Sequence, residues 1–231
     1  MNLALIIAGG TGSRMHNSIP KQFKKVSGIP VILYTLSIFQ NNQNIDVICV
    51  SCLRGWEKWL ANSAQKYGIS KLKHITTGGA TGFESIFNGL KELKKHYSSD
   101  SIVLIHDAVR PIVPNTIINN CIKAVTKYGN AITVIPCYEA IMVSADGISS
   151  TTAIPHNNLI CTQAPQGFKL KDIFNAHIEA RSKGIKNAAT SSTLMTELGK
   201  KVYIVQGSRK NIKLTTPDDF EILKALLKIQ K

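Results

Sequence analysis

Aromatic residues make up only 6% of this 231-residue chain, and Asp and Glu number 14 against 28 Lys and Arg. No apolar run is long, and the five cysteines form no repeated spacing. Each scarcity excludes something. The longest apolar runs, such as Leu3–Ala8 and Ile102–Ile105, fall far short of the roughly 18 residues a membrane-spanning helix needs. With so few rings, a surface that stacks nucleic-acid bases between basic residues is not expected. Trp56 and Trp59, three apart on one helical stretch, read as core or partner contact. The opening Met1-Asn2 leads directly into a strand-like run without the regions of a signal peptide, so a soluble, cytoplasmic protein is expected. Cys49-Val-Ser-Cys52 has the gap of a metal or redox pair but lies within a strand-like run and has no second pair. Buried free thiols are the expectation there. The remaining composition is ordinary for a globular chain, with 44% apolar residues and a mean hydropathy of +0.02.

The net charge of +14 is carried by Lys spread along the whole length, with no Arg-rich tract. A large positive field favours phosphorylated metabolites as well as polyanions, and scattered Lys suit solvated faces around a phosphate site.

Short apolar β-branched runs alternate with longer amphipathic stretches. Strands are expected at Leu3–Ile7, Val47–Cys52, Lys73–Thr77, Ser101–Ile105, Ala131–Pro136 and Val202–Val205. Helices are expected at Val31–Gln40, Gly55–Tyr67, Gly82–Tyr97, Thr116–Tyr128, Leu170–Lys183 and Pro217–Lys228. This alternation predicts an α/β layer fold with a mainly parallel central sheet. Residues 138–165 break it. Ala140–Ser144, Ala145-Asp146-Gly147 and Ile148–Ile154 read as a hairpin, followed by a polar stretch. One domain over residues 1–231 with a projecting arm at about 138–165 is therefore expected, and a second copy is the natural surface for the arm to pack on.

The first strand runs into Ala8-Gly9-Gly10-Thr11-Gly12-Ser13-Arg14, with Pro20-Lys21-Gln22 following. Glycines past a strand's carboxyl end let backbone amides cradle phosphates, and two cations beside them suit a triphosphate. The spacing is neither the dinucleotide nor the P-loop fingerprint, and no acidic residue follows where a ribose-binding one would stand. A plain glycine turn with two solvated cations is the competing reading. The fourth expected strand ends in His106-Asp107-Ala108-Val109-Arg110-Pro111. There Asp107 can meet a divalent cation or ribose hydroxyl, and Arg110 can clamp a phosphate; otherwise Asp107 caps a turn and His106 packs. Lys213, in Asn211-Ile-Lys-Leu-Thr215, precedes a helix capped by Thr216 with Pro217 in its first turn; a solvated strand residue is the competing reading.

These blocks, with Ala164-Pro165-Gln166, resemble in order the CTP-dependent cytidylyltransferases acting on 2-C-methyl-D-erythritol 4-phosphate, a step of isoprenoid biosynthesis, or on ribitol 5-phosphate. The resemblance spans residues 3 to about 228 and implies a Rossmann-like three-layer nucleotidyltransferase fold. It implies that Ala8, Gly9, Gly10, Thr11 and Gly12 hold the CTP triphosphate, with Arg14, Lys21 and Lys213 as catalytic cations. Gly79 and Ser85 would hold the cytosine, Asp107 and Ala108 would face the nucleotide, and Asp107 would bind Mg²⁺. Arg110, Glu139, His156 and Thr190 would meet the acceptor. The reaction implied is transfer of CMP to a phosphorylated polyol with release of pyrophosphate, in a homodimer without nucleic-acid or membrane partners.

Several positions depart from the family pattern. Ala80 and Gly82 stand where the base loop usually carries an acidic residue and an Arg, Glu139-Ala140 where the arm carries Asp-Thr, and His156 where it carries Arg. Thr190-Ser191-Ser192 lacks the usual carboxylate. The departures fall mostly on the acceptor half. They imply an acceptor other than the two usual ones, a weak member using the usual one, or a protein that keeps nucleotide binding or dimerisation without turnover.

Overall fold

Six of the strand-like runs do become strands of one sheet. The structure, a computed structural model, describes residues 1–10, 19–185 and 187–229. Its strands are β1 (Asn2–Ala8), β2 (Lys25–Val26), β3 (Ile29–Pro30), β4 (Val47–Cys52), β5 (Leu72–Thr77), β6 (Ile102–Asp107), β7 (Asn130–Pro136), β8 (Ile141–Val143), β9 (Thr152–Ile154), β10 (Ile160–Lys169) and β11 (Ile204–Gln206). Its helices are α1 (Val31–Asn41), α2 (Glu57–Lys66), α3 (Gly82–His96), α4 (Asn115–Tyr128), α5 (Leu170–Ser182), α6 (Ser191–Glu197) and α7 (Pro217–Ile229). The central sheet has the order β11-β7-β10-β6-β1-β4-β5. β1 pairs in parallel with β4 and β6, β4 with β5, and β7 with β11, whereas β10 runs antiparallel between β6 and β7.

The period of two along β1 sorts its side chains to opposite faces. Ala4, Ile6 and Ala8 join Leu33, Leu36 and Phe39 of α1, Leu60 of α2 and Ile118 and Cys121 of α4. Leu3 and Leu5 join Leu90 and Leu93 of α3, Ile173 and Ala176 of α5 and Leu194 of α6. The result is the three-layer α/β architecture expected. α7 closes a third cluster, with Phe220 and Leu223 on Val26, Val109, Ile112 and Leu214. Trp56 and Trp59 are core-side: Trp56 stacks on Phe23 with ring centroids 4.3 Å apart, and Trp59 meets both edge-on. Among the described residues no helix is long and apolar enough to cross a membrane.

Three features correct the sequence reading. The stretch after the hairpin is no polar loop: the chain rejoins the sheet at Ile160 as β10, so the arm ends near Leu159, short of the 165 expected. α6 was not anticipated. The hairpin pairs Ile141–Val143 with Thr152–Ile154, leaving eight residues between them instead of a tight Asp-Gly turn. The Asp146 carboxylate organises that loop by accepting from the Ile148 and Ser149 amides and the Ser144 and Ser149 hydroxyls. Cys49 and Cys52 are buried free thiols, as expected, and burial pushes both up to about 12. Cys161, by contrast, is exposed where β10 leaves the arm.

Candidate active site

Two clefts open at the carboxyl ends of β1 and β6. The first, of about 480 Å³, is lined by Ala8, Gly9 and Gly10 after β1, Lys21 and Gln22, the 79–85 loop, Asp107 and Lys213. The second, of about 370 Å³, runs from Asp107, Arg110 and Lys213 to Gln163, Gln166, Thr190 and Ser191. Ile7, Gly82, Asp107 and Lys213 line both, so the clefts meet at the Asp107–Lys213 pair.

The glycine loop and the 78–85 loop are built against each other. A Cβ on Gly78 would lie 2.9 Å from the Gly9 Cα, and one on Gly9 would lie 2.7 Å from the Ser85 Oγ. Only glycine permits that approach of backbone to backbone. Gln22, almost fully buried, fastens the loop from the other side, donating from Nε2 to the carbonyls of Ala8 and Gly10 at 2.8 Å each. Ser85 accepts from the Gly79 amide at 3.0 Å and donates to the Thr81 carbonyl at 2.9 Å. Thr81 caps α3 by accepting from the Glu84 amide, and Glu84 reaches back to the Ala80 amide. The positive end of α3 thereby faces the first cleft, which favours an anion there.

Asp107, at the end of β6, is the electrostatic centre. Its Oδ1 lies 3.0 Å from Lys213 Nζ and its Oδ2 2.9 Å from Arg110 Nε. Burial works against its charged form, but Lys213 and Arg110 outweigh it and hold the carboxyl down at about 2. Arg110, only 9% exposed, also donates from Nη1 to the Asn211 carbonyl at 2.7 Å. Lys21 donates to the Leu214 carbonyl at 2.9 Å. The C-terminal segment carrying Lys213 is therefore held by Lys21 from the first cleft and by Arg110 from the second.

A buried polar network sets that segment's position. Asn211 Nδ2 donates to the Ala164 carbonyl at 2.6 Å and to Gln163 Oε1 at 3.3 Å, and Gln163 Nε2 donates to the Ser208 carbonyl. Gln166 Oε1 accepts from the Ser192 amide at 2.8 Å and so fixes α6. Ser191 Oγ, buried and lining the second cleft, has no protein hydrogen-bond partner among the described residues.

The expected site residues divide as follows. Ala8, Gly9, Gly10, Lys21, Gly79, Ser85, Asp107 and Lys213 line the first cleft, and Arg110 and Thr190 the second. Thr11, Gly12 and Arg14 lie outside the described residues. Ala108 is buried beside the cleft with its backbone occupied, the amide by the Ile7 carbonyl and the carbonyl by the Thr35 hydroxyl. Glu139 and His156 are exposed on the arm, outside the lining of both clefts. His106 packs, as its alternative reading had it: it is buried against Phe39, and burial lowers it to about 4. Gln22, Gln163, Gln166, Ser191 and Asn211 were not anticipated, because nothing in their spacing shows which backbone groups they meet.

Two anion-favouring clefts sharing one Lys–Asp pair can hold two phosphorylated molecules with their phosphates facing. The family model described as 2-C-methyl-D-erythritol 4-phosphate cytidylyltransferase matches residues 2–229. A ribitol-5-phosphate cytidylyltransferase of Vibrio parahaemolyticus is 43% identical across 100% of this chain and 98% of its own. A 2-C-methyl-D-erythritol 4-phosphate cytidylyltransferase of Clostridium acetobutylicum is 42% identical across 99% of this chain and 98% of its own. The crystal structure of the Francisella tularensis 2-C-methyl-D-erythritol 4-phosphate cytidylyltransferase superposes with a TM-score of 0.82 at 26% identity, covering 97% of this chain and 99% of that one. With the family model matched over nearly every residue, the chain belongs to the 2-C-methyl-D-erythritol 4-phosphate cytidylyltransferase family, IspD.

Proposed function

We propose that the chain transfers the cytidylyl group of CTP to ribitol 5-phosphate, releasing pyrophosphate. The observation that carries this reading is the meeting of the two clefts at Asp107 and Lys213. The choice of acceptor is supported by relatives of 40% and 43% identity that are ribitol-5-phosphate cytidylyltransferases.

CTP occupies the first cleft, its triphosphate along Ala8–Gly10 and Lys21 and its base against the Gly79–Ser85 loop. The acceptor occupies the second, its phosphate toward Arg110 and Lys213 and its hydroxyls toward Thr190 and the Ser191 hydroxyl. An acceptor phosphate oxygen attacks the α-phosphorus in line; a new P–O bond forms, and the bond to the β-phosphate oxygen breaks with its electrons on pyrophosphate. Such a step needs positioning and charge neutralisation, with no covalent nucleophile on the protein. Lys213, at the junction, follows the charge on the α-phosphoryl group, while Lys21 meets the leaving pyrophosphate. Asp107 is the single carboxylate among the described residues lining the first cleft, and Mg²⁺ is commonly held by one or two carboxylates with substrate phosphates. The donor set fits, so Asp107 would hold Mg²⁺, which would supply further charge neutralisation on the phosphates. Two copies pair through the arm, whose Met142, Val143, Ile148 and Ile154 are exposed in the single chain.

Pyrophosphate release from CTP and Mg²⁺, measured against ribitol, methylerythritol, arabinitol, erythritol and glycerol phosphates, tests the reading. Release is expected to be highest with ribitol 5-phosphate. Preference for methylerythritol phosphate would move the acceptor within the family, and CTP binding without release from any of the five would overturn the proposed acceptor.

A further inference from the structure

At the end of α3 remote from the clefts, three metal-ligating side chains converge. Glu92 and His96 stand four residues apart and so share one face of the helix. That face meets His74 of the edge strand β5. Glu92 Oε1 lies 3.1 Å from His96 Nε2 and 3.7 Å from His74 Nδ1, and one donor atom from each residue lies within 4.8 Å of the others. We propose that His74, Glu92 and His96 bind a divalent transition-metal ion of the zinc class.

A tetrahedral ion with bonds of about 2.0–2.1 Å places its ligand atoms about 3.3 Å apart, close to the separations from Glu92 Oε1. The neighbours orient the donors. His74 Nε2 is 2.8 Å from the Tyr97 hydroxyl, which leaves Nδ1 turned to the cluster. Lys95 holds Glu92 Oε2 at 2.8 Å, which leaves Oε1 for the two imidazoles. A partner on the outer atom of each ligand is the usual means of aiming it. Two imidazoles and a carboxylate select zinc-class ions over Mg²⁺ and Ca²⁺, which prefer all-oxygen sets. Three protein ligands leave a fourth position for solvent. His96, with its side chain 47% exposed, provides the entry, and its ring, now stacked on His74 with centroids 4.6 Å apart, turns out of that stack to aim its lone pair.

The ion would fasten β5 to the last turns of α3. β5 leads into the Gly78–Ser85 loop and α3 begins within it, so the clip ties together the far ends of both elements that carry that wall of the first cleft. None of the three ligands lines either cleft.

The test is titration of the chelator-stripped, full-length protein with zinc alone, in excess Mg²⁺ so that oxygen-only sites are silent. One equivalent is expected to bind to the native chain. His96→Asn, an exposed change that leaves the fold intact by circular dichroism, is expected to weaken it by roughly 100-fold or more, as is His74→Asn. Tyr97→Phe, which only frees the outer nitrogen of His74, is expected to cost about 10–100-fold. Cobalt in place of zinc is expected to give a tetrahedral visible spectrum without a thiolate charge-transfer band. Absence of zinc binding, unchanged affinity in His96→Asn, or a thiolate band would each overturn the site.

Discussion

Lys213 is set apart from its neighbours by how little it does for the fold. Its ammonium is half exposed and its ion pair with Asp107 sits at a cleft mouth, where such pairs are worth little to stability. At the same point it lines both clefts, which on the proposed function is where charge would develop during transfer. Lys213→Ala is therefore expected to lower kcat by about 10²–10³-fold while the denaturant midpoint stays within error of the native value; steady-state turnover and a denaturation curve on one preparation check both halves. A midpoint that falls with kcat would make Lys213 a structural residue. That Lys213, Asp107, Gly9 and Gly10 share one cleft was legible through the resemblance of their blocks, in order, to the family pattern; residue type alone left a solvated Lys and a turn-capping Asp as alternatives. Gln22, Ser191 and Asn211 were not legible. An amide or hydroxyl side chain acquires its role from the group it meets; for Gln22 and Asn211 those partners lie 12 to 48 residues away, and for Ser191 none is found among the described residues.

Elements were read where an apolar period runs unbroken. β1, β4, β6 and β7 are buried strands of branched residues, and α3 repeats its apolar positions at three and four. β10 escaped because Cys161-Thr-Gln-Ala-Pro-Gln-Gly carries two Gln, a Pro and a Gly, and its pairing with β7 slips between Thr162 and Gln166. Only the tertiary partners of Gln163 and Gln166 make that sequence a buried strand. α6 escaped because seven residues rich in Ser and Thr have poor helix propensity; Thr190 starts it by accepting from the Thr193 amide, and Gln166 anchors it. The β10 segment and the Lys213 segment are joined chiefly through Asn211, which is fully buried. Asn211→Ala leaves the Ala164 carbonyl unpaired and is expected to cost about 1–3 kcal/mol of stability. It is also expected to raise the acceptor KM more than the CTP KM, since the second cleft loses its strap. Chemical denaturation with separate KM determinations measures the two effects, and equal rises in both KM values would argue that the network serves the whole site without bias.

The whole molecule holds histidines that folding keeps from protonation. Burial lowers His106 and His177 to about 4, and His74 moves in the same direction through burial and the neighbouring His96. In the unfolded chain each takes up a proton near pH 6.5, so below that value the unfolded state binds more protons and stability falls with falling pH. The loss runs from about pH 6.5 to the folded values near 4, and His106 and His177 should each remove about 2 kcal/mol by pH 5. Asp107 follows the opposite case, a lowered carboxyl whose stabilisation is present above about pH 4 and is lost as pH falls toward about 2, outside that window. Denaturant midpoints between pH 7 and 5 check the histidine effect, and His177→Leu is expected to remove about one proton's worth of the slope. A flat profile over that range would show that the two rings protonate in place. Chain order also divides the clefts: the first is drawn mostly from before residue 86, while the part of the second that the first does not share comes largely from residues 162–191; on the proposed function these are the nucleotide and acceptor sides. Inheritance can then treat the two substrates as separate traits. A graft of residues 160–192 between family members exchanges the acceptor's surroundings in one contiguous stretch of gene and leaves the glycine loop, Lys21 and the base loop as they were.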